Sequence, residues 1–126
     1  MEIKELTKAE EEIMQILWEL DGGFVKDIIA EIHDSNRGKP AYNTVSTIVR
    51  ILVQKEMVGH TSHGKSHRYH PLITKEEYSK YKMDNLMSGY FEGSFSNMVS
   101  FFVKKKQLDT KELDDILKII ENNKES

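Results

Sequence analysis

The sequence predicts a mainly α-helical chain with one small β-hairpin near its middle, and three observations predict it. Three stretches within the first 55 residues carry apolar side chains at i, i+3, i+4 and i+7, the spacing that lays one apolar face along a helix. Between 58 and 73 the pattern shortens around Gly64-Lys65-Ser66, as two short strands and a turn require. Helical spacing then resumes to the end of the chain.

The first helix opens at Thr7-Lys-Ala-Glu10, where a Thr hydroxyl and a Glu carboxylate can each satisfy the other's backbone amide. Glu10, Glu11 and Glu12 follow in the first turn, where the helix dipole favours negative charge. Ile13, Ile16, Leu17 and Leu20 form the apolar stripe, widened by Met14 and Trp18, and Trp18 is read as core. Asp21-Gly22-Gly23 stops the helix, since glycine enters the left-handed region without steric cost. Val25, Ile28, Ile29 and Ile32 predict a second helix over about 25–34, and Asp34 to Pro40 reads as a turn.

The third helix, from about Ala41 to Lys55, is the element that suggests a function. Val45, Ile48, Val49 and Leu52 face inward. Asn43, Thr47, Arg50 and Gln54 point the other way, flanked by Thr44 and Ser46. Helices that read base edges display this set of short hydrogen-bonding groups plus arginine; a polar surface helix is the plainer alternative. A second helix bracing a third is the helix-turn-helix arrangement, and a hairpin after it makes the order that of a winged helix. Lys65, Ser66, His67 and Arg68 meet at the wing tip, suited to phosphates or to the minor groove. Tyr69 is expected under the wing, and Pro71 at the end of its strand.

Composition narrows the function classes. The 126 residues suit one domain or a small domain with an appendage. The absence of cysteine removes disulfides, thiol nucleophiles and thiolate metal sites. No apolar run reaches the roughly 20 residues of a membrane span, and a cytoplasmic location is expected. The net charge of −3 is unevenly spread. Residues 1–35 carry three lysines against ten acids, and residues 74–126 carry nine lysines against ten acids. Residues 36–73 hold Arg37, Lys39, Arg50, Lys55, Lys65 and Arg68 against Glu56 alone. The basic face therefore coincides with the third helix and the hairpin, a nucleic-acid footprint. No paired nucleophile and base and no Gly-rich phosphate loop appear, so no enzyme and no cofactor is expected.

His60, His63, His67 and His70 resemble a metal cluster. With a Gly64–Ser66 loop, His63 faces His67 and His60 faces His70, on opposite faces of the hairpin. Two imidazoles per face fall short of the three or four ligands zinc takes, so no metal site is expected and the histidines are read as polar wing residues, partly protonated near DNA.

The last third is helical. Thr74-Lys-Glu-Glu77 opens a helix to about Gly89, with Tyr78, Tyr81, Asn85 and Leu86 along one side, and Gly89 and Gly93 bracket a break. Phe95, Met98, Val99, Phe102 and Val103 stripe the next helix, and Lys104, Lys105 and Lys106 close it. Asp109 or Thr110 caps a final helix with Leu113, Ile116, Leu117 and Ile120 on one face. These residues are expected to dimerise, since most soluble oligomers are symmetric pairs; folding back on the winged domain is the alternative. The expected division is 1–73, a winged-helix DNA-binding domain, and 74–126, a helical dimerisation domain.

LTKAEEEIMQILWEL, NTVSTIVRILVQK, HRYHPLI and GSFSNMVSFFVKKKQLDTKELDDILKII, in that order, resemble the penicillinase-repressor (BlaI/MecI/CopY) family of bacterial winged-helix regulators. The resemblance runs nearly end to end. It implies a homodimeric repressor on a palindromic operator, joined through its C-terminal helices. It also implies a membrane sensor-protease as pathway partner, with relief by cleavage inside the helix Phe95–Lys104, the matching bond being Phe101-Phe102. The chain departs from the family in three places. It lacks the cysteine cluster of the copper branch, and Phe101 stands where cleaved members have Asn. Ile51 and Glu56 stand where Arg and Gly are common, so Glu56 must end the third helix without glycine's freedom.

The expected contacts follow. Asn43, Thr44, Ser46, Thr47 and Arg50 face the major groove; Lys39, Tyr42, Lys65, Ser66, His67 and Arg68 hold the backbone. Leu86, Phe95, Met98, Val99, Phe102, Val103, Leu113, Ile116, Leu117 and Ile120 dimerise. The rival reading is a winged helix used as a protein-interaction module.

Overall fold

The computed structural model describes residues 2–32 and 38–124. Elements follow in the order α1 (Lys8–Leu20), α2 (Val25–Glu31), α3 (Tyr42–Gln54), β1 (Val58–His63), β2 (Ser66–Pro71), α4 (Lys75–Tyr90), α5 (Phe95–Lys104) and α6 (Thr110–Lys124). This is the expected mainly helical chain with a two-stranded antiparallel hairpin. No helix among the described residues is long and apolar enough to cross a membrane.

The chain divides into two compact units, 1–81 and 82–126. The sequence set the boundary at 73/74. The difference is the first two turns of α4, whose Tyr78 joins the core and whose Tyr81 packs against it.

In the first unit the apolar stripes meet. Ile13, Met14 and Leu17 of α1, Val25 and Ile28 of α2, and Val45, Val49 and Leu52 of α3 are buried together with Met57, Val58, Tyr69 and Ile73. Trp18 is half-buried on this core, its indole N–H donating to the Ile73 carbonyl at 2.9 Å. Thr7 and Glu10 make both bonds of the capping box, at 3.2 and 3.1 Å. Glu10 is nevertheless 5 % exposed. Burial pushes its carboxyl pKa up, but the Lys55 ammonium at 2.6 Å and the Thr7 amide outweigh that, and the net shift is downward. This ion pair ties the start of α1 to the end of α3.

Helix ends show what spacing alone does not. The left-handed residue after α1 is Asp21 (φ 55°), with Gly22 following at φ 104°. Glu56 takes φ 63° after α3. Its amide donates to Val53 O and the Met57 amide to Leu52 O, both at 3.0 Å, and Leu52 and Met57 are fully buried. That is the Schellman stop with glutamate where glycine is usual, which is the cost expected of Glu56. Helix α2 ends at Glu31 rather than near 34. The expected turn from Asp34 to Pro40 lies largely outside the described residues, at 33–37. Gly89 lies inside α4, and the break before α5 is made by Glu92 and Gly93 at φ 54° and 73°. Asp109 caps α6, accepting from the Glu112 amide at 2.9 Å.

The hairpin turn holds two residues, Gly64 and Lys65, because His63 pairs with Ser66. Gly64 at φ 63° in the first central position fits a type II′ turn. The shorter loop shifts the register from the expected one. Ser62 opposes His67, His60 opposes Tyr69 and Gly59 opposes His70. The expected pairs His63–His67 and His60–His70 are therefore not opposite each other; instead His60 and His67 lie diagonally on one face, ring centroids 4.6 Å apart. A third strand is reduced to one residue: Gly23 exchanges two 2.8 Å bonds with Tyr69.

In the second unit no residue between 82 and 123 is buried. Phe91 and Phe101 pack edge to face at 5.7 Å.

Candidate nucleic-acid interface

Helix α3 buries Val45, Val49 and Leu52, so its opposite face must point outward. Tyr42, Asn43, Thr44, Thr47, Arg50 and Gln54 are exposed, and Ser46 is half-buried. The Thr47 hydroxyl donates back to the Asn43 carbonyl at 2.9 Å, which leaves its lone pairs and methyl group for a partner. Arg50 makes no hydrogen bond or ion pair among the described residues.

The hairpin stands beside this face. Between them runs a groove of about 700 Å³ lined on one side by Tyr42, Ser46 and Arg50 and on the other by His63, Lys65, Ser66 and His67. Phe24 and Lys26 close its end. Among the described residues no carboxylate lines it, and Lys26, Arg50 and Lys65 share the space. The expected contacts left out Phe24, Lys26 and His63, because α2 was read only as a brace and of the wing histidines only His67 was placed at the tip.

Two expected phosphate contacts have local employment. The Lys39 ammonium donates to the Ile29 and Ala30 carbonyls at 3.3 and 3.1 Å, satisfying the last turn of α2. The Arg68 guanidinium, half-buried, donates to the Asp21 carbonyl at 3.2 Å beyond the end of α1. Its neighbour Gly22 leaves no room: a Cβ there would lie 2.7 Å from the guanidinium and 2.8 Å from the Tyr69 carbonyl. In this conformation both cations hold helix ends together at the margins of the face. Lys65, Ser66 and His67 are exposed, the His67 ring 3.3 Å from the Ser62 hydroxyl.

Among the described residues no three His, Cys, Asp or Glu side chains converge as metal ligands do. Elsewhere in the first unit Tyr78 donates to the Glu11 carboxylate at 2.7 Å, and burial followed by that carboxylate pushes its hydroxyl pKa up.

The residues expected to dimerise lie in the second unit. Phe95, Val99, Leu113, Ile116, Leu117 and Ile120 line one apolar groove of about 490 Å³ between α5 and α6. Met98 and Phe102 are half-buried, while Leu86 and Val103 are exposed. Phe101, beside Phe102 in the helix, is exposed with the Lys105 ammonium 5.9 Å from its ring centre.

Comparison with known proteins follows the same outline. The penicillinase repressor family model matches residues 6–122. The penicillinase repressor of Bacillus licheniformis is 25% identical over 122 residues, covering 97% of this chain and 94% of that protein. The methicillin resistance regulatory protein MecI of Mammaliicoccus sciuri is 25% identical over 116 residues, 92% of this chain and 93% of that one. Among solved structures, the solution structure of the DNA binding domain of the repressor BlaI overlays with a TM-score of 0.51 at 23% identity, covering 61% of this chain and 92% of that one. That likeness concerns the fold.

Proposed function

The chain belongs to the penicillinase-repressor family, and from that premise we propose that it is a sequence-specific DNA-binding transcriptional repressor acting as a homodimer on a palindromic operator. The observation that carries the reading is the outer face of α3: Asn43, Thr44, Thr47 and an Arg50 that, among the described residues, has no partner and stands beside a groove without carboxylates. Asn43, Thr44, Ser46, Thr47 and Arg50 read base edges in the major groove, Arg50 by the two-pronged contact that guanine accepts. Tyr42, Lys65, Ser66 and His67 hold phosphates and set the register. Lys39 and Arg68 join them at the margin while they fix the ends of α2 and α1. The relatives' names support this role, and the BlaI domain that shares the fold is a DNA-binding domain. A repressor needs no catalytic step, and the family is one of transcriptional repressors.

Residues 1–73 act as the DNA-binding part and 74–126 as the dimerisation part. One winged domain makes few contacts; two, on half-sites a turn or more apart, multiply them. The apolar groove of α5 and α6 supplies the joint, with Met98, Phe102, Val103 and Leu86 around it. Cutting α5, at or near Phe101-Phe102, removes that joint and releases DNA without touching a reading residue; a membrane sensor-protease of the same pathway would start the signal. The protein works in the cytoplasm, where its DNA lies.

Selection from a pool of random duplexes tests the reading. Enrichment of an inverted repeat, bound with an affinity that falls steeply with salt through counterion release, is the expected result. Recovery of no common sequence would remove the sequence-specific role.

A further inference from the structure

The groove between α3 and the hairpin has an end wall that base reading does not require. Lys26 projects from the first turns of α2, and Phe24 packs its ring edge to face against the His63 imidazole at 5.7 Å. Phe24 is itself held by its amide, which donates to Asp27 Oδ2 at 3.0 Å. His63 thus has a ring on the neighbouring segment beside it, and it lines the same groove as Lys26. His67, on the opposite strand, lines the same groove.

We propose that this groove is a phosphodiester seat, in which Lys26 grips a DNA phosphate from α2 while His63 and His67, as imidazolium, grip from the hairpin, so that DNA binding takes up protons. The proposal rests on the DNA-binding reading and deepens it. Among the described residues, the charged and titratable groups around the histidines are Lys26 on α2, Arg50 and Tyr42 on α3, Lys65 on the turn, Tyr69 on β2 and His60 beside His67, and none is a carboxylate. Asp27 is turned to the Phe24 amide and does not line the groove. A phosphate laid in the groove favours the charged form of an imidazole that it meets. Imidazole is the side chain whose charge changes in the physiological range, so the added phosphate converts directly into a pH dependence of affinity. Lys26, always charged, contributes a salt dependence instead.

The test uses the full chain and a short duplex of arbitrary sequence, because phosphate contacts are indifferent to sequence. Affinity is followed by fluorescence anisotropy between about pH 6 and about pH 8 and across a salt series. Wild type should bind roughly tenfold more tightly at the acid end, as about half a proton taken up per complex, averaged over about two pH units, would give. His63→Gln should reduce that pH dependence, His67 keeping its part, and lower the salt slope at the acid end by about one unit, and Lys26→Ala should lower the slope by about one unit while keeping the pH profile. A pH profile for His63→Gln that superimposes on wild type, or a Lys26→Ala slope equal to wild type, overturns the phosphate seat although DNA binding stands. Wild type that shows no salt-dependent binding overturns this proposal together with the DNA-binding reading.

Discussion

Helices α1 and α6 carry the same kind of apolar stripe, yet they end in opposite states. In α1, Leu17 is 0 % exposed, in one buried cluster with Met14, Ile28, Val49 and Leu52. In α6, Leu117 is 55 % exposed, and Ile119 and Ile120 beside it are also open to solvent. The first unit has three helices, a hairpin and the start of α4 to close over its core; the second has α5, α6 and the remainder of α4, with no buried residue between 82 and 123. Periodicity tells which side of a helix is apolar. What covers that side depends on how many other stripes the same unit can bring to it, and the second unit runs short of them.

Truncating one leucine in each unit should sharpen this contrast most. Leu17→Ala removes a fully enclosed side chain and should cost about 2–5 kcal/mol of stability, read from urea denaturation of the full chain. Leu117→Ala should cost less than about 0.5 kcal/mol in a dilute monomer, as surface substitutions do, and should instead weaken dimerisation in sedimentation equilibrium. Equal stability losses at the two sites would mean that the second unit is as enclosed as the first.

The next effect belongs to a glycine. Gly22→Ala puts a Cβ against the Tyr69 carbonyl at 2.8 Å on a backbone at φ 104°. Such a conformation alone costs a side chain about 1–3 kcal/mol, and with the clash the loss should reach about 2–4 kcal/mol by thermal denaturation. A neutral substitution would mean that the Gly23–Tyr69 bridge is not part of the fold in solution.

Third comes the part-buried ion pair of the first unit. Lys55→Met leaves Glu10 without its ammonium and should cost about 1.5–3 kcal/mol at neutral pH. Because the Glu10 pKa in the folded protein lies below its ordinary value of 4.5, the stabilisation is complete above that value. It drains away as pH falls through the lower folded value. Wild type and Lys55→Met stability curves should thus converge on acidification, and a gap that stays constant to low pH would assign the loss to packing.

The smallest effect has the opposite sign. Glu56→Gly relieves a left-handed glutamate at φ 63° and should raise stability by about 0.5–1 kcal/mol, after the greater freedom of glycine in the unfolded chain is set against it. A loss of stability would mean that the glutamate side chain makes a favourable contact.

The elements with long stripes were legible in the sequence, because Val45, Val49 and Leu52 can only face inward if α3 is a helix, and the outward set then follows from geometry. The Glu56 stop was legible too, through the residue that replaces glycine. What escaped was set by contacts distant in sequence. Arg68 reaches the Asp21 carbonyl across 47 positions and Lys55 reaches Glu10 across 45, and no local spacing announces either. The hairpin register turned on a single residue of loop length, and that one residue moved every histidine to a new partner. Lys26 and Phe24 belonged to a helix whose own pattern spoke only of packing; their part in the groove appears once α2, α3 and the hairpin stand together.

If reading is the work of the first unit and pairing the work of the second, Arg50→Ala must damage recognition while leaving assembly intact. The direct measurement is competition binding of wild type and Arg50→Ala to the selected operator and to a scrambled duplex at one salt concentration, with dimerisation checked by sedimentation. Operator affinity should fall by about 1–3 kcal/mol beyond any loss on the scrambled duplex, the worth of a two-pronged guanine contact, with the dimer unchanged. Equal losses on both duplexes would contradict the assignment of α3 as the reading helix through Arg50.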